Sequence, residues 1–183
     1  MSSTNANIVI DIILDRHNTR DVLRALLHAI LFHRLFGTVK PKTFEVLDVT
    51  LPGVADAGIE QLVEDKVDAF WRGMESGAAN KKGKITVTLS EKQTKKNWIG
   101  YPYEEDVPWE SWVINAEIRQ PKTESERMKF EQELASTLTK SVTTMLTHTA
   151  SEQGRAAVPP IMSSELSPFP LNIAVYVGGV EMA

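Results

Sequence analysis

The chain has 183 residues and no cysteine, enough for one compact domain that buries about 70% of its unfolded surface, and it has no disulfides, thiolate metal sites or thiol nucleophiles. A net charge of -4 and a pI near 5.6 exclude general affinity for nucleic acid, which draws its energy from clustered basic charge. No basic region precedes the first apolar run, and Asp11 and Asp15 interrupt it, so it reads as neither secretion signal nor membrane span; a soluble cytoplasmic protein folded as a single domain, 1–183, is expected.

Residues 8–14 are rich in branched aliphatics and predict a strand. A helix follows, capped by Asn18 or Thr19, with Val22, Leu23, Leu26, Leu27, Ile30, Leu31 and Leu35 at three- and four-residue spacing and Gly37 as its stop. TFEVLDVTL, 43–51, alternates as one strand that Pro52-Gly53 ends. Asp56 caps a second helix with an inner face of Ile59, Leu62, Val63, Val67, Phe70, Trp71 and Met74, finished near Gly77. KITVTLSEK, 84–92, and residues 109–118 alternate as strands joined by a stretch too short for a crossover helix, so they pair antiparallel. Thr123 and Glu126 have capping-box spacing and open a third helix to about Ala150, its inner stripe Phe130, Leu134, Leu138, Val142, Met145 and Leu146. A proline-rich crossing leads to a last strand, LNIAVYV, stopped by Gly178-Gly179. The order predicts an α+β fold, three helices packed on a mostly antiparallel sheet.

Little of this points to catalysis. His28 and His33 lie five apart on one helix, about 140° around its axis, and cannot chelate one metal from one face; they read, with His17 and His148, as ordinary surface or boundary histidines. The glycines form no phosphate loop or dinucleotide fingerprint. Glu104, Glu105 and Asp106 lack the ligand spacing of a calcium loop and read as a solvated cluster. The chain is therefore read as non-enzymatic, with no cofactor and no metal.

Three features point to recognition instead. In NWIGYPYEEDVPWESW, 97–112, Trp112 reads as packed under the sheet, whereas Trp98, Ile99, Tyr101, Pro102 and Tyr103 sit between paired strands and project beyond them, a binding tip rather than a local mini-core. The second half of the third helix, 134–151, is rich in threonine with Lys140 its only permanently charged side chain, which suits an interface that must be dehydrated, against a merely polar solvated face. Lysines at 81, 82, 84, 92, 95 and 96 cluster near the rings; protection of an exposed edge is one reading, contact of Lys92, Lys95 and Lys96 with anionic lipid the other.

The segments VLRALLHAILFHRLFG, KITVTLSEK, EEDVPWESWVINAEI and VPPIMSSELSPFPLNIAVYV together resemble the autophagy-related protein 101 family of HORMA-domain proteins, most specifically at Pro108, Trp109, Glu110 and Trp112. The resemblance implies a scaffold subunit of the autophagy-initiating kinase complex, at the preautophagosomal structure, that pairs with and stabilises the HORMA domain of autophagy-related protein 13. It implies a heterodimer interface at the end of the first helix and on the third, here His33, Arg34, Thr137, Lys140, Ser141 and Thr144. It also implies a protruding finger that recruits downstream factors; the family's Trp-Pro-Phe motif is missing, and Trp98 with Tyr101-Pro102-Tyr103 stands in its region. The C-terminal segment after the third helix is short, which implies an open-like domain that does not close over a peptide.

Overall fold

In the computed structural model, which describes residues 5–77 and 81–183, the alternation of residues 6–14 becomes β1 (Ala6–Leu14), with Ile10, Ile12 and Leu14 facing the core and Val9 and Ile13 facing out. At its end the Asp15 carboxylate accepts the Asn18 N–H (2.7 Å) and starts α1 (Thr19–Arg34). The expected cap at Asn18 is thus supplied by the side chain three residues earlier. Every apolar position expected inside α1 is buried.

One expected strand is two. Residues 43–51 fold as a hairpin, β2 (Pro41–Val46) and β3 (Val49–Val54), turning at Leu47 and Asp48, whose φ angles are 49° and 62°. Both residues occupy the left-handed region that a two-residue hairpin turn demands, without the Asn-Gly pair that usually signals one. Pro52 and Gly53 lie inside β3 instead of ending it; a Cβ on Gly53 would strike the Phe44 ring. α2 (Ala57–Ser76) is capped as expected, the Asp56 carboxylate accepting the Ile59 N–H at 3.0 Å.

β4 (Lys82–Lys96) and β5 (Pro102–Ile118) pair antiparallel along their length, and α3 (Glu124–Ala150) follows from a Thr123 cap. A five-residue helix, α4 (Glu152–Ala156), comes before the proline-rich crossing, and the chain finishes in β6 (Leu171–Val177) and β7 (Val180–Met182). The main sheet runs β1-β5-β4-β6-β7, parallel only between β1 and β5, with β2-β3 as a separate pair. The result is the expected HORMA-like α+β layer, three long helices with the short α4 added, on a mixed sheet. The core fills the space between α1 and α2, the inner stripe of α3 and the inward residues of the sheet.

Candidate functional site: an aromatic finger, its buried root and an uncharged helix face

β6 pairs with β4 only as far as Leu89, and β1 reaches β5 only at Glu110. Beyond that line the two strands pair with each other alone in the sheet, from Ser90–Pro108 to Lys96–Pro102, the Ser90 N–H still reaching the Pro170 carbonyl at 3.0 Å. Seven pairs at about 3.3 Å per residue make a finger roughly 20 Å long. Its tip is tied, not loose. The Asn97 side chain accepts the N–H of Ile99 (3.0 Å) and of Tyr101 (2.9 Å), the Asn97 N–H reaches the Tyr101 carbonyl (2.9 Å), and Gly100 turns at a φ of 89°. On this frame Trp98 is 93% exposed, Ile99 60%, Tyr101 66% and Tyr103 45%. Pro102 opens β5 directly across from Lys96.

The lysines divide. Lys92 faces Asp106 across the ladder, Lys95 is ion-paired with Glu105 at 2.7 Å, and Lys96 faces Pro102. With Glu91, Glu104, Glu105 and Asp106 against Lys92, Lys95 and Lys96, the finger carries no positive excess to draw it to anionic lipid. Lys81, Lys82 and Lys84, read in the sequence as neighbours of the rings, stand at the opposite end of β4, because the strand between them is fully extended.

The root of the finger is where the Trp-Glu-x-Trp stretch lies. A bulge sets Leu89 opposite Glu110 and Ser90 opposite Pro108, so Trp109 is the extra residue and both Trp109 and Glu110 are buried. Trp109 packs edge-on against Phe169 (5.4 Å between centroids), which meets Phe36 at 5.9 Å, in a small core with Leu89. Glu110, fully buried, accepts two bonds from Arg34 (2.7 and 2.8 Å), one from Trp112 Nε1 (2.8 Å) and one from His148 Nε2 (2.5 Å). Arg34 also donates to the Gly154 carbonyl at 3.0 Å. Burial alone would raise the Glu110 pKa; the bonds and charge of Arg34, with His148 and Trp112, hold it below the usual carboxylate value. The carboxylate therefore ties β5 to the ends of α1 and α3, and Arg34 extends the link to α4.

This node alters the picture of the expected interface residues. Arg34 is 3% exposed and bound to Glu110 and Gly154, and Ser141 is 5% exposed with its hydroxyl on the Thr137 carbonyl; both are engaged within the chain. His33 is half-buried, its Nδ1–H donating to the Ala29 carbonyl at 2.7 Å. Thr137, Lys140 and Thr144 remain on the surface of α3. The hydroxyls of Thr137, Thr139, Thr143, Thr144 and Thr149 each bond the carbonyl four residues back, at 2.7–3.1 Å. Those hydroxyls are thus already bonded inside the helix. Leu146, expected in the inner stripe, is 53% exposed and borders a hollow of about 440 Å³ with His33, Phe36, Thr149 and Val158. The residues missed from sequence are thus Leu146 on the surface and Glu110 with His148 beneath it. A glutamate flanked by two tryptophans was the one signal of the latter.

The remaining histidines separate. His17 is exposed, whereas His28, read as a surface or boundary residue, is 1% exposed; it stacks on Phe44, and Nδ1 accepts the Val54 N–H at 3.2 Å. Desolvation, helped by Lys42, lowers its pKa to about 4. Among the described residues no group of three or more histidine or acidic side chains is placed to hold a metal, and no helix is long and apolar enough to cross a membrane.

Residues 11–165 match the family model described as Autophagy-related protein 101, a span that holds the finger and, in its buried root, Arg34, Glu110 and His148. The chain belongs to this family. The Autophagy-related protein 101 of Schizosaccharomyces pombe is 34% identical over 98 residues, 54% of this chain and 52% of that protein. That of Arabidopsis thaliana is 32% identical over 105 residues, 56% of this chain and 47% of that protein. The chain spans about half the length of the curated relatives it matches. Within the family, the Trp-Glu-x-Trp stretch that carried the resemblance is in this chain a structural joint, not an exposed recognition motif.

Proposed function

We propose that this chain is a non-enzymatic adaptor of the autophagy-initiating kinase complex, working in the cytoplasm at the preautophagosomal structure. It pairs with the HORMA domain of autophagy-related protein 13 through the uncharged second half of α3 and the hollow beside His33 and Leu146. It recruits downstream factors through the finger. The observation that carries this reading is the tip: three large apolar side chains held outward on a hydrogen-bonded turn, with nothing of their own chain over them. Exposed rings on a rigid support are costly in isolation and contribute on the order of 2 kcal/mol each when a partner dries them. The finger's balanced charge favours a protein partner over the lipid alternative.

The test is co-purification of the initiation complex from cells expressing Trp98→Ala/Tyr101→Ala. Capture of autophagy-related protein 13 is expected to persist, while capture of downstream factors falls at least about tenfold, the loss of one such anchor. Unchanged recruitment overturns the finger's role, and failure of the unsubstituted chain to retain its HORMA partner overturns the pairing.

A further inference from the structure

The two edges of the finger are not alike. Along an antiparallel strand successive N–H groups point alternately into the ladder and away from it. The Ser90 N–H leaves the β4–β5 ladder for the Pro170 carbonyl (3.0 Å), whereas the Asn97 N–H turns inward to the Tyr101 carbonyl (2.9 Å). The N–H groups of Glu91, Gln93 and Lys95 therefore point across to β5, and those of Lys92, Thr94 and Lys96 point outward, on the side where β6 pairs only as far as Leu89. Their counterparts on the outer edge of β5 are Pro102, Glu104, Asp106 and Pro108. Both prolines lack the N–H that an added strand would need, so the β5 edge is closed at its two ends. The β4 edge is open. Lys92, Thr94 and Lys96 are exposed, and among the described residues no hydrogen bond within the chain takes their N–H groups. Charge divides in the same way: this outward row of β4 holds two lysines and no acid, that of β5 two acids and no cation. Among the described residues neither Lys92 nor Lys96 has an acid within 4.0 Å.

We infer that the finger holds its partner by strand addition along the β4 edge, taking an extended, acid-bearing segment of the recruited protein as a third strand. This rests on the recruiting role proposed for the finger and specifies how that role is performed. The chain itself fills the first place on the edge, where Pro170 receives the Ser90 N–H. The places beyond it are empty. Outward donors on alternate residues recur about every 6.6 Å, the interval at which an extended peptide repeats its own outward carbonyls. Lys92 and Lys96, at the two ends of the row, favour carboxylates on the strand beside them. They also set the edge against a second copy of itself, because two such edges would bring like charges into one ladder.

The test removes one outward N–H from each edge, by Thr94→Pro on β4 and Glu104→Pro on β5, and follows recovery of the downstream factors from cells alongside Trp98→Ala/Tyr101→Ala. Neither proline takes a bond from the ladder, and retained amide protection at Glu91 and Lys95 certifies the finger in each purified variant. Thr94→Pro is expected to lower recovery at least about tenfold, and Glu104→Pro to leave it unchanged. Lys92→Glu/Lys96→Glu, which keeps every backbone donor, should match Thr94→Pro. Fluorescence anisotropy of the purified full chain with short, overlapping, fluorescein-labelled peptides of the recovered factor then reads binding directly. An acid-bearing peptide should bind, and methylation of its alternate backbone amides should abolish binding in one phase and spare it in the other. Equal loss in the two proline variants, unchanged recovery with Lys92→Glu/Lys96→Glu, binding by no peptide, or binding indifferent to methylation overturns the inference. If Trp98→Ala/Tyr101→Ala loses the factors while Thr94→Pro keeps them, strand addition falls and the finger still recruits, by its rings alone. If no substitution loses them, the finger's role falls too.

Discussion

Glu110 accepts four hydrogen bonds with none of its surface in water, and that geometry makes it the least replaceable polar side chain in the molecule. Truncation as Glu110→Ala strands the Arg34 charge in the interior, and the expected loss is about 3–5 kcal/mol in urea unfolding at pH 7. Arg34→Met with Glu110→Leu should recover part of it, because no charge is then stranded, while the Trp112 N–H, His148 and the Gly154 carbonyl still lose their partner. Since the native Glu110 pKa lies below the unfolded value of about 4.3, its contribution is complete above that pH and is lost as pH falls through the native pKa. His28 acts in a different window. Its pKa is lowered to about 4 in the folded chain, so the unfolded state binds the proton first: stability is full above pH 6.5 and declines as pH drops toward 4, by about 3 kcal/mol. His28→Gln should flatten the unfolding free energy between pH 6.5 and 4 and leave the steeper acid limb below it.

Among the elements, the three long helices were legible to within a few residues, because each has a run of apolar positions at helical spacing and an oxygen-bearing cap, whereas the five-residue α4 has no such run and was not expected. The finger was legible only as a projection. Period-two alternation marks a strand when one face is buried, and from Ser90 to Pro108 most positions on both faces are polar and wet, so an ordered hairpin looks like a loop. In α3 the expected stripe holds at Leu134, Leu138 and Met145, with Phe130 and Val142 half-buried against the core, and fails only at Leu146. Hydropathy has no reason to favour Ser141, yet the fold turns it inward beside Leu138 and Met145, its hydroxyl bonded to the Thr137 carbonyl. Leu146 is left outside, at the hollow beside His33. Leu146→Glu is therefore expected to abolish co-purification with the HORMA domain of autophagy-related protein 13, while the melting temperature of the free chain shifts by no more than a few degrees.

For the whole molecule, local chemistry was enough to determine the α+β class, the antiparallel pairing of β4 with β5, the helix caps at Asp56 and Thr123, and the burial of Trp112, since caps and periodicity act between residues close along the chain. What joins distant residues was decided only in three dimensions. Arg34, Glu110 and His148 are separated by tens of residues, and nothing in the spacing of an arginine, a glutamate and a histidine announces a common buried site. The same holds for the lysines. Their nearness in sequence grouped six of them with the rings, but an extended strand carries charge about 3.3 Å per residue away from its start, so three travel with the finger and three stay at the opposite end of the sheet. Sequence order conserves proximity in turns and helices; in a long hairpin it is the register across strands, not distance along them, that chooses neighbours.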